Sequence, residues 1–237
     1  RRPPRSTPKP SSAASDVYKR QYIMSANTNQ KLTSNDKNSE ISINHQKLID
    51  ATIETIAKRG LADTTISHVA KKAEVSQGYA NFRFKSKENL LLSSLQFLSD
   101  EYKKSWQKIF EDENLDPIDR LLRIFENDFS KKIANQNKIS VWIAFYSEVK
   151  FRPSYRSVCQ HQDEIYLNQT KKLIDEINHV TNQTSLTSIE ISETYHSMVD
   201  GLWQRILFEP KVYTNEFCKS LIIKYFRSVY PDETRFQ

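Results

Sequence analysis

Glycine occurs only three times in the 237 residues of this chain, and this scarcity limits the possible folds more than any other feature. Glycine adopts positive φ without strain, so the glycine-rich turns of Rossmann motifs and P-loops are excluded. Apolar residues instead recur at spacings of three and four over long segments. This periodicity predicts an all-α fold of about nine helices with no strand.

The positive charge of the chain is concentrated near its N-terminus. Residues 1–23 contain six Lys and Arg residues against Asp16 alone, which gives +5 of the formal net charge of +6. The segment Ser11–Gln21 resembles translated adapter sequence fused to an open reading frame. We therefore expect the native chain to start at Met24 and residues 1–42 to form a disordered leader. An arginine-rich arm that binds DNA phosphates is the alternative interpretation.

No pattern in the sequence predicts an enzyme, a cofactor or a metal site. The five histidines are scattered, and Cys159 and His161 lie on different sides of a helix rather than around one metal. No Ser/His/Asp or Cys/His arrangement can be identified from spacing. The longest apolar run, Val141–Tyr146, is too short to span a bilayer, and the two cysteines form no paired pattern. We expect a cytoplasmic protein without a membrane partner.

The segment after the leader predicts three helices followed by a longer fourth. The first runs from about His45 to Arg59 and ends at Gly60, which suits a left-handed position after a helix. A short second helix is joined by the tight turn 74–76 to a third helix over about Gln77–Phe82. Ser and Thr residues suited to cap helix N-termini precede the second and fourth helices, at Thr65 and Ser86.

Two short helices joined by a tight turn are the geometry of a helix-turn-helix. Its second and third helices must cross closely, so small residues are needed between them. We expect Val75 to fill the turn and the third helix to present polar and planar groups to base edges, with Lys85 beside them. The small residues available for the crossing are Ala70, Ala73, Gly78 and Ala80.

The stretch Thr64–Leu90 resembles the DNA-binding head of the TetR family. The resemblance implies a homodimer on double-stranded operator DNA, with a head over 43–103 and a helical body for ligand binding and dimerisation over 104–237. Two residues depart from the family pattern: Glu74 where glycine is usual in the turn, and Asn81 where an aromatic is frequent. The family's recognition positions fall on Gln77, Gly78, Tyr79, Asn81 and Phe82, and its phosphate-binding positions on Thr65, Ser76, Arg83 and Lys87.

Two blocks of the body, Ser140–Val149 and Met198–Arg205, resemble the choline-responsive betaine repressor branch of that family. This resemblance implies choline as inducer and glycine betaine synthesis genes as targets. An aromatic face beside carboxylates also suits a quaternary ammonium through cation–π attraction. The residues predicted to bind the ligand on this basis are Trp142, Phe145, Tyr146, Glu148, Asp200 and Trp203.

Other interpretations of these patterns stay open at the level of sequence. The rings of the body can simply pack its core. The chain can be a repressor with an unrelated inducer, or a helical interaction module that does not bind DNA. If it is a dimer, the last two helices, about 187–209 and 212–229, are expected to form a four-helix bundle with those of a second copy.

Overall fold

Helices account for almost all of the regular structure in the residues that the computed structural model describes, which are 35–182 and 185–237. No strand occurs over these residues, so the predicted all-α fold is confirmed. A short 3₁₀ helix, Thr234–Phe236, follows the last α-helix. The α-helices are α1 (Asn35–Arg59), α2 (Ile66–Lys72), α3 (Gln77–Phe84), α4 (Lys87–Phe110), α5 (Pro117–Asp128), α6 (Gln136–Glu148), α7 (Pro153–Thr181), α8 (Ser188–Phe208) and α9 (Asn215–Val229).

Side-chain caps begin most of these helices, because each cap satisfies a backbone N–H that has no partner inside its helix. The Thr65 hydroxyl accepts from the backbone N–H of His68 at 3.1 Å, before α2. At the start of α8, Thr187 and Glu190 form a reciprocal capping box. The cap predicted at Ser86 before α4 is also confirmed, and Asp116 caps α5.

Three predicted boundaries are corrected by the structure. Helix α1 begins at Asn35 rather than His45, so residues 35–42 are helical and not part of a disordered leader. Extending an existing helix needs only propagation, which polar residues support without an apolar face. Helix α3 continues to Phe84 rather than ending at about Phe82, and α9 begins at Asn215 rather than at about 212. The predictions made for residues 1–34 lie outside the described residues.

The helix-turn-helix packs around a small core of its own. Ala70, Ala73 and Ala80 are buried where α2 and α3 cross, as their small size predicts. Gly78 is exposed, and a Cβ built on it would meet only the Ser76 hydroxyl, at 4.0 Å. The expectation that Gly78 allows the helices to cross closely is therefore wrong.

Helix α4 joins the head to the body. Its first half packs through Leu91, Leu95 and Leu98 into a core that also contains Phe145 of α6 and Tyr155 of α7. The helix continues to Phe110 without interruption. The boundary predicted at 103 therefore falls inside α4. Residues Ile43–Gln237 form one compact unit.

The body is built from α5 to α9 around the second half of α4. Its core is rich in aromatic side chains, and Trp106, Phe125, Tyr195 and Phe226 are almost fully buried there. No helix within 35–182 or 185–237 combines the length and apolar character needed to cross a bilayer.

Candidate functional site

The turn between α2 and α3 sets the direction of the recognition helix. Glu74 has φ of 57°, a left-handed conformation that glycine adopts most easily. The glutamate therefore occupies the conformation that the family pattern assigns to glycine. The backbone N–H of Val75 donates to the Ala70 carbonyl at 3.0 Å, which closes the turn. Ser76 then caps α3 by accepting from the N–H of Tyr79 at 3.1 Å.

Helix α3 presents a polar face to solvent. Gln77, Asn81 and Arg83 are exposed on it, and Phe82 is 82% exposed. A phenyl ring with this exposure contributes little to the head core, and suits apolar contact with a thymine methyl group. Tyr79 is half-buried and packs on the head core with part of its ring. Four of the five positions that the sequence predicts for base contact are therefore exposed, and Tyr79 is the half-buried exception. Arg83, which is also exposed here, is one of the predicted phosphate-binding residues.

The other predicted phosphate-binding residues are Thr65, Ser76 and Lys87, which lie at the starts of helices. The hydroxyls of Thr65 and Ser76 already accept backbone hydrogen bonds as caps. Each hydroxyl retains its own hydrogen and can donate it to a phosphate oxygen. Lys85 is exposed beside α3, whereas the ammonium of Lys87 donates to the Ala62 carbonyl at 2.8 Å.

A cavity of about 330 Å³ lies in the body between α4, α6, α7 and α8. Aromatic rings form much of its wall and contact one another. The rings of Trp142 and Tyr146 lie 6.0 Å apart at 31°, and those of Tyr102 and Trp203 lie 5.8 Å apart at 70°. The five aromatic residues of the wall are Tyr102, Trp142, Tyr146, Tyr166 and Trp203.

The charged groups of the cavity wall are carboxylates. The Tyr146 hydroxyl donates to Asp163 at 3.0 Å. Asp200 keeps an exposed surface, and partial desolvation of its carboxylate together with the nearby carboxylates of Asp163 and Asp128 raises its pKa to about 6. His196 also lines the cavity, and burial lowers its pKa to about 4, so it is neutral at pH 7. The acidic residues of the wall are Asp163, Glu164, Glu193 and Asp200, and no Lys or Arg among residues 35–182 and 185–237 lines it.

Asp128, at the C-terminal end of α5, lies fully buried behind the aromatic wall. Its carboxylate accepts hydrogen bonds from Tyr102 at 3.1 Å and from Tyr166 and Tyr195 at 2.5 Å each. Desolvation raises its pKa, although these three hydrogen bonds oppose the shift. The indole N–H of Trp203 donates to the Asp128 backbone carbonyl at 3.1 Å. This network therefore fixes three rings of the cavity wall, those of Tyr102, Tyr166 and Trp203.

Comparison with known proteins identifies both parts of the chain. Residues 48–93 match the family model described as bacterial regulatory proteins, tetR family, and residues 117–230 match the BetI-type transcriptional repressor C-terminal model. The chain belongs to the TetR family. It is a transcriptional repressor of the BetI-like kind, and the members of this family are regulators rather than enzymes. The prediction that the chain is not an enzyme is thus confirmed.

Relatives and solved structures agree with this TetR assignment. A curated relative from Stenotrophomonas maltophilia, HTH-type transcriptional regulator BetI, is 27% identical over 169 residues, which cover 69% of this chain and 81% of the relative. A transcriptional regulator from Pseudomonas aeruginosa has the same fold, with a TM-score of 0.70, 17% identity, and coverage of 81% of this chain and 93% of its own. A regulator from Saccharomonospora viridis, solved in complex with choline, has a TM-score of 0.66 at 16% identity. The match covers 77% of this chain and 95% of that regulator.

Not all of the predicted ligand-binding residues of this TetR protein lie at the cavity. Trp142, Tyr146, Asp200 and Trp203 line it. Phe145 is fully buried against Tyr155 of α7, with the rings 5.1 Å apart at 88°. Glu148 accepts from Arg152 at 3.1 Å. Spacing along α6 groups Trp142, Phe145 and Tyr146 on one wide face. Neighbouring helices divide that face, so that part of it lines the cavity and part of it packs in the core.

Sequence reasoning missed part of the wall. Glu193 was not among the predicted ligand-binding residues, although it lies seven residues before Asp200 and ten before Trp203, on one face of α8. That spacing was the available signal. The residues that α4 and α7 contribute carry no such signal, because only the tertiary fold brings these helices together. They are Tyr102, Gln162, Asp163, Glu164, Tyr166 and Leu167.

Proposed function

We propose that this repressor binds a near-palindromic operator as a homodimer and releases it when a quaternary ammonium compound, choline, occupies the body cavity. The observation that supports this proposal most directly is the composition of the cavity wall. Five aromatic residues and four carboxylates line it, and within the described residues no Lys or Arg does. Such a wall attracts a cation and repels an anion.

Choline matches this wall in size and chemistry. Trimethylammonium groups bind on the faces of Trp and Tyr rings, where the π-electron density attracts their spread positive charge. Trp142 and Tyr146 offer rings on one side and Trp203 on another, and Asp163 and Asp200 offset the loss of water around the cation. A volume of about 330 Å³ is at the small end for ligand sites. The choline complex of the Saccharomonospora viridis regulator supports the same ligand class here.

The proposed dimer uses the outer faces of α8 and α9. TetR regulators act as dimers, since two heads must reach two half-sites about one helical turn apart on the DNA. Exposed apolar side chains surround the junction of α8 and α9: Phe208 is 67% exposed and Val212 is 59% exposed. A second copy of the chain would bury them together with Ile189 of α8 and Phe217 of α9, which are also exposed.

The coupling between cavity and DNA is proposed to run through α4. This helix begins beside α3 at its Ser86 cap and reaches the cavity wall at Tyr102. Tyr102 lies 15 residues after Lys87, which corresponds to about 22 Å of continuous helix. If the ligand binds more tightly when α4 holds the two heads at a wrong spacing for successive major grooves, ligand binding must weaken operator binding. Because operator DNA is the partner, we propose a cytoplasmic location.

Calorimetry of the full chain tests the ligand. Choline should bind with measurable heat, while its neutral carbon isostere, in which carbon replaces the nitrogen, should bind at least about tenfold more weakly because it lacks the charge that the rings attract. Trp142→Ala should remove this preference for the cation. The matched control is Phe151→Ala, which removes an aromatic residue that is 73% exposed and lies outside the cavity.

Three results would contradict the choline proposal: no heat with choline, equal affinity for the neutral isostere, or equal effects of the two alanine variants. Operator binding that responds to a different compound would then identify a repressor with an unrelated inducer. A folded chain that binds no DNA from its own upstream region at any salt concentration would instead indicate a helical interaction module.

A further inference from the structure

Gln162 of α7 carries an amide group that the folded chain leaves partly unsatisfied. The side chain lines the cavity, and the residue is only 5% exposed. Its Oε1 accepts a hydrogen bond from the Ser99 hydroxyl of α4 at 3.2 Å. Its Nε2 has no hydrogen-bond partner within the described part of the chain. A buried donor without a partner is unfavourable, so this amide favours an acceptor supplied from outside the chain.

The carboxylates of the wall restrict which acceptor can serve. Asp163 follows Gln162 directly in the chain, and Asp200 faces the same cavity. A ligand carboxylate beside Nε2 would be repelled by these groups. An alcohol oxygen has no such charge, accepts from Nε2, and can donate its own hydrogen to a carboxylate of the wall.

We propose that Gln162 determines ligand specificity by donating from Nε2 to a neutral oxygen that the ligand carries beside its cationic centre. The inference rests on the proposed function, because it takes the cavity to hold an organic cation. It adds the residue that recognises the hydroxyl of such a cation, and so distinguishes an amino alcohol or its quaternary derivative from a simple alkylammonium ion or a betaine. The Ser99 hydroxyl acts as a positioning group that holds the amide by its oxygen.

Calorimetry of the full chain with three cations tests this assignment. Choline carries the hydroxyl, ethyltrimethylammonium has hydrogen in its place, and glycine betaine has a carboxylate. We expect the wild-type protein to prefer choline over ethyltrimethylammonium by about tenfold, the value of one well-placed hydrogen bond. Gln162→Met keeps the length of the side chain and removes the donor. It should reduce that preference to less than about twofold while affinity for ethyltrimethylammonium stays unchanged.

Two further variants keep the result interpretable. Gln160→Met makes the same substitution on the exposed face of α7, outside the cavity, and should retain the wild-type preference. If Gln162→Met folds poorly, the double variant S99A/Q162M removes both partners of the hydrogen bond and leaves no unpaired group between them. Folding of each variant is checked by its thermal midpoint and by operator binding without ligand.

The outcomes separate the two proposals. If choline and ethyltrimethylammonium bind the wild type equally well, or if Gln162→Met or the double variant keeps the preference, the role of Gln162 is refuted while the cation site stands. The same holds if glycine betaine binds more tightly than choline. If none of the three cations binds the wild type, the proposed function itself fails.

Discussion

Replacement of Asp128 by alanine tests the network behind the cavity wall. The substitution removes the acceptor shared by the hydroxyls of Tyr102, Tyr166 and Tyr195, all of which lie in the core of the body. A buried donor without a partner costs about 1–3 kcal/mol, so three would cost about 3–9 kcal/mol if nothing relaxed.

Two effects reduce that value. The variant no longer buries a carboxylate, whose desolvation raises the pKa of Asp128 in the folded chain. The hydroxyls can also turn towards one another once the acceptor is gone. We therefore expect Asp128→Ala to lower the free energy of unfolding by about 3–5 kcal/mol, the lower part of that range. Asp128→Asn retains the shape and one acceptor oxygen, and should lose about 1–2 kcal/mol.

Urea unfolding, followed by circular dichroism at one fixed protein concentration, measures these differences. The concentration must be fixed because dimerisation adds to the apparent stability. Tyr195→Phe, which removes one donor, provides the matched control and should cost about 1 kcal/mol in the wild-type background and less in Asp128→Ala. A loss below about 1 kcal/mol in Asp128→Ala would refute the argument that these hydroxyls depend on the carboxylate.

Three further predictions concern DNA, pH and assembly. Gln77→Ala should cost about 1–3 kcal/mol of binding free energy at one or two operator base pairs. Arg83→Ala should weaken binding to all DNA sequences and lower the salt slope of the binding constant by about one. If Gln77→Ala loses the same affinity for operator and for random DNA, base recognition by Gln77 is excluded. Choline affinity should be flat near pH 8 and fall as the pH drops through about 6, because the cation favours ionised Asp200, whose pKa is raised to about 6, and Asp163, whose pKa is also raised. Glu164 and Glu193 also line this wall, and His196 is neutral until about pH 4. Because Asp200 is assigned the change near pH 6, Asp200→Asn should weaken the pH dependence of choline affinity. A pH profile that calorimetry finds unchanged in this variant would contradict the assignment to Asp200. Phe208→Asp should yield monomers by light scattering while the matched Phe151→Asp stays dimeric, and a dimeric mass for Phe208→Asp would place the interface elsewhere.

The sequence predicted the head well because its determinants are local. The caps at Thr65 and Ser86 depend on side chains that bond to the backbone three residues away. The left-handed conformation of Glu74 follows from its place in the turn. Gly78 was misassigned because a small residue suits both close packing and an open surface, and only the position of α2 distinguishes these two cases.

The cavity was only half predictable because its wall comes from four helices. Periodicity along α6 placed Trp142 and Phe145 on one face, but α4 and α7 enclose Phe145 while Trp142 stays at the cavity. Glu148 had a plausible position for a ligand carboxylate, and Arg152, one turn later, pairs with it instead. Asp163 supplies a carboxylate at the cavity from α7, and no spacing within α6 or α8 indicates this.

The central claim is that a cation in the body cavity controls operator binding by the head. Fluorescence anisotropy of labelled DNA from the region upstream of the gene, bound to the full chain and titrated with choline, tests it most directly. The account predicts that the DNA dissociates at choline concentrations that match the calorimetric affinity, that the neutral carbon isostere leaves it bound, and that Trp142→Ala needs about tenfold more choline or higher. DNA that stays bound at saturating choline, or that is released equally by the neutral isostere, would contradict it.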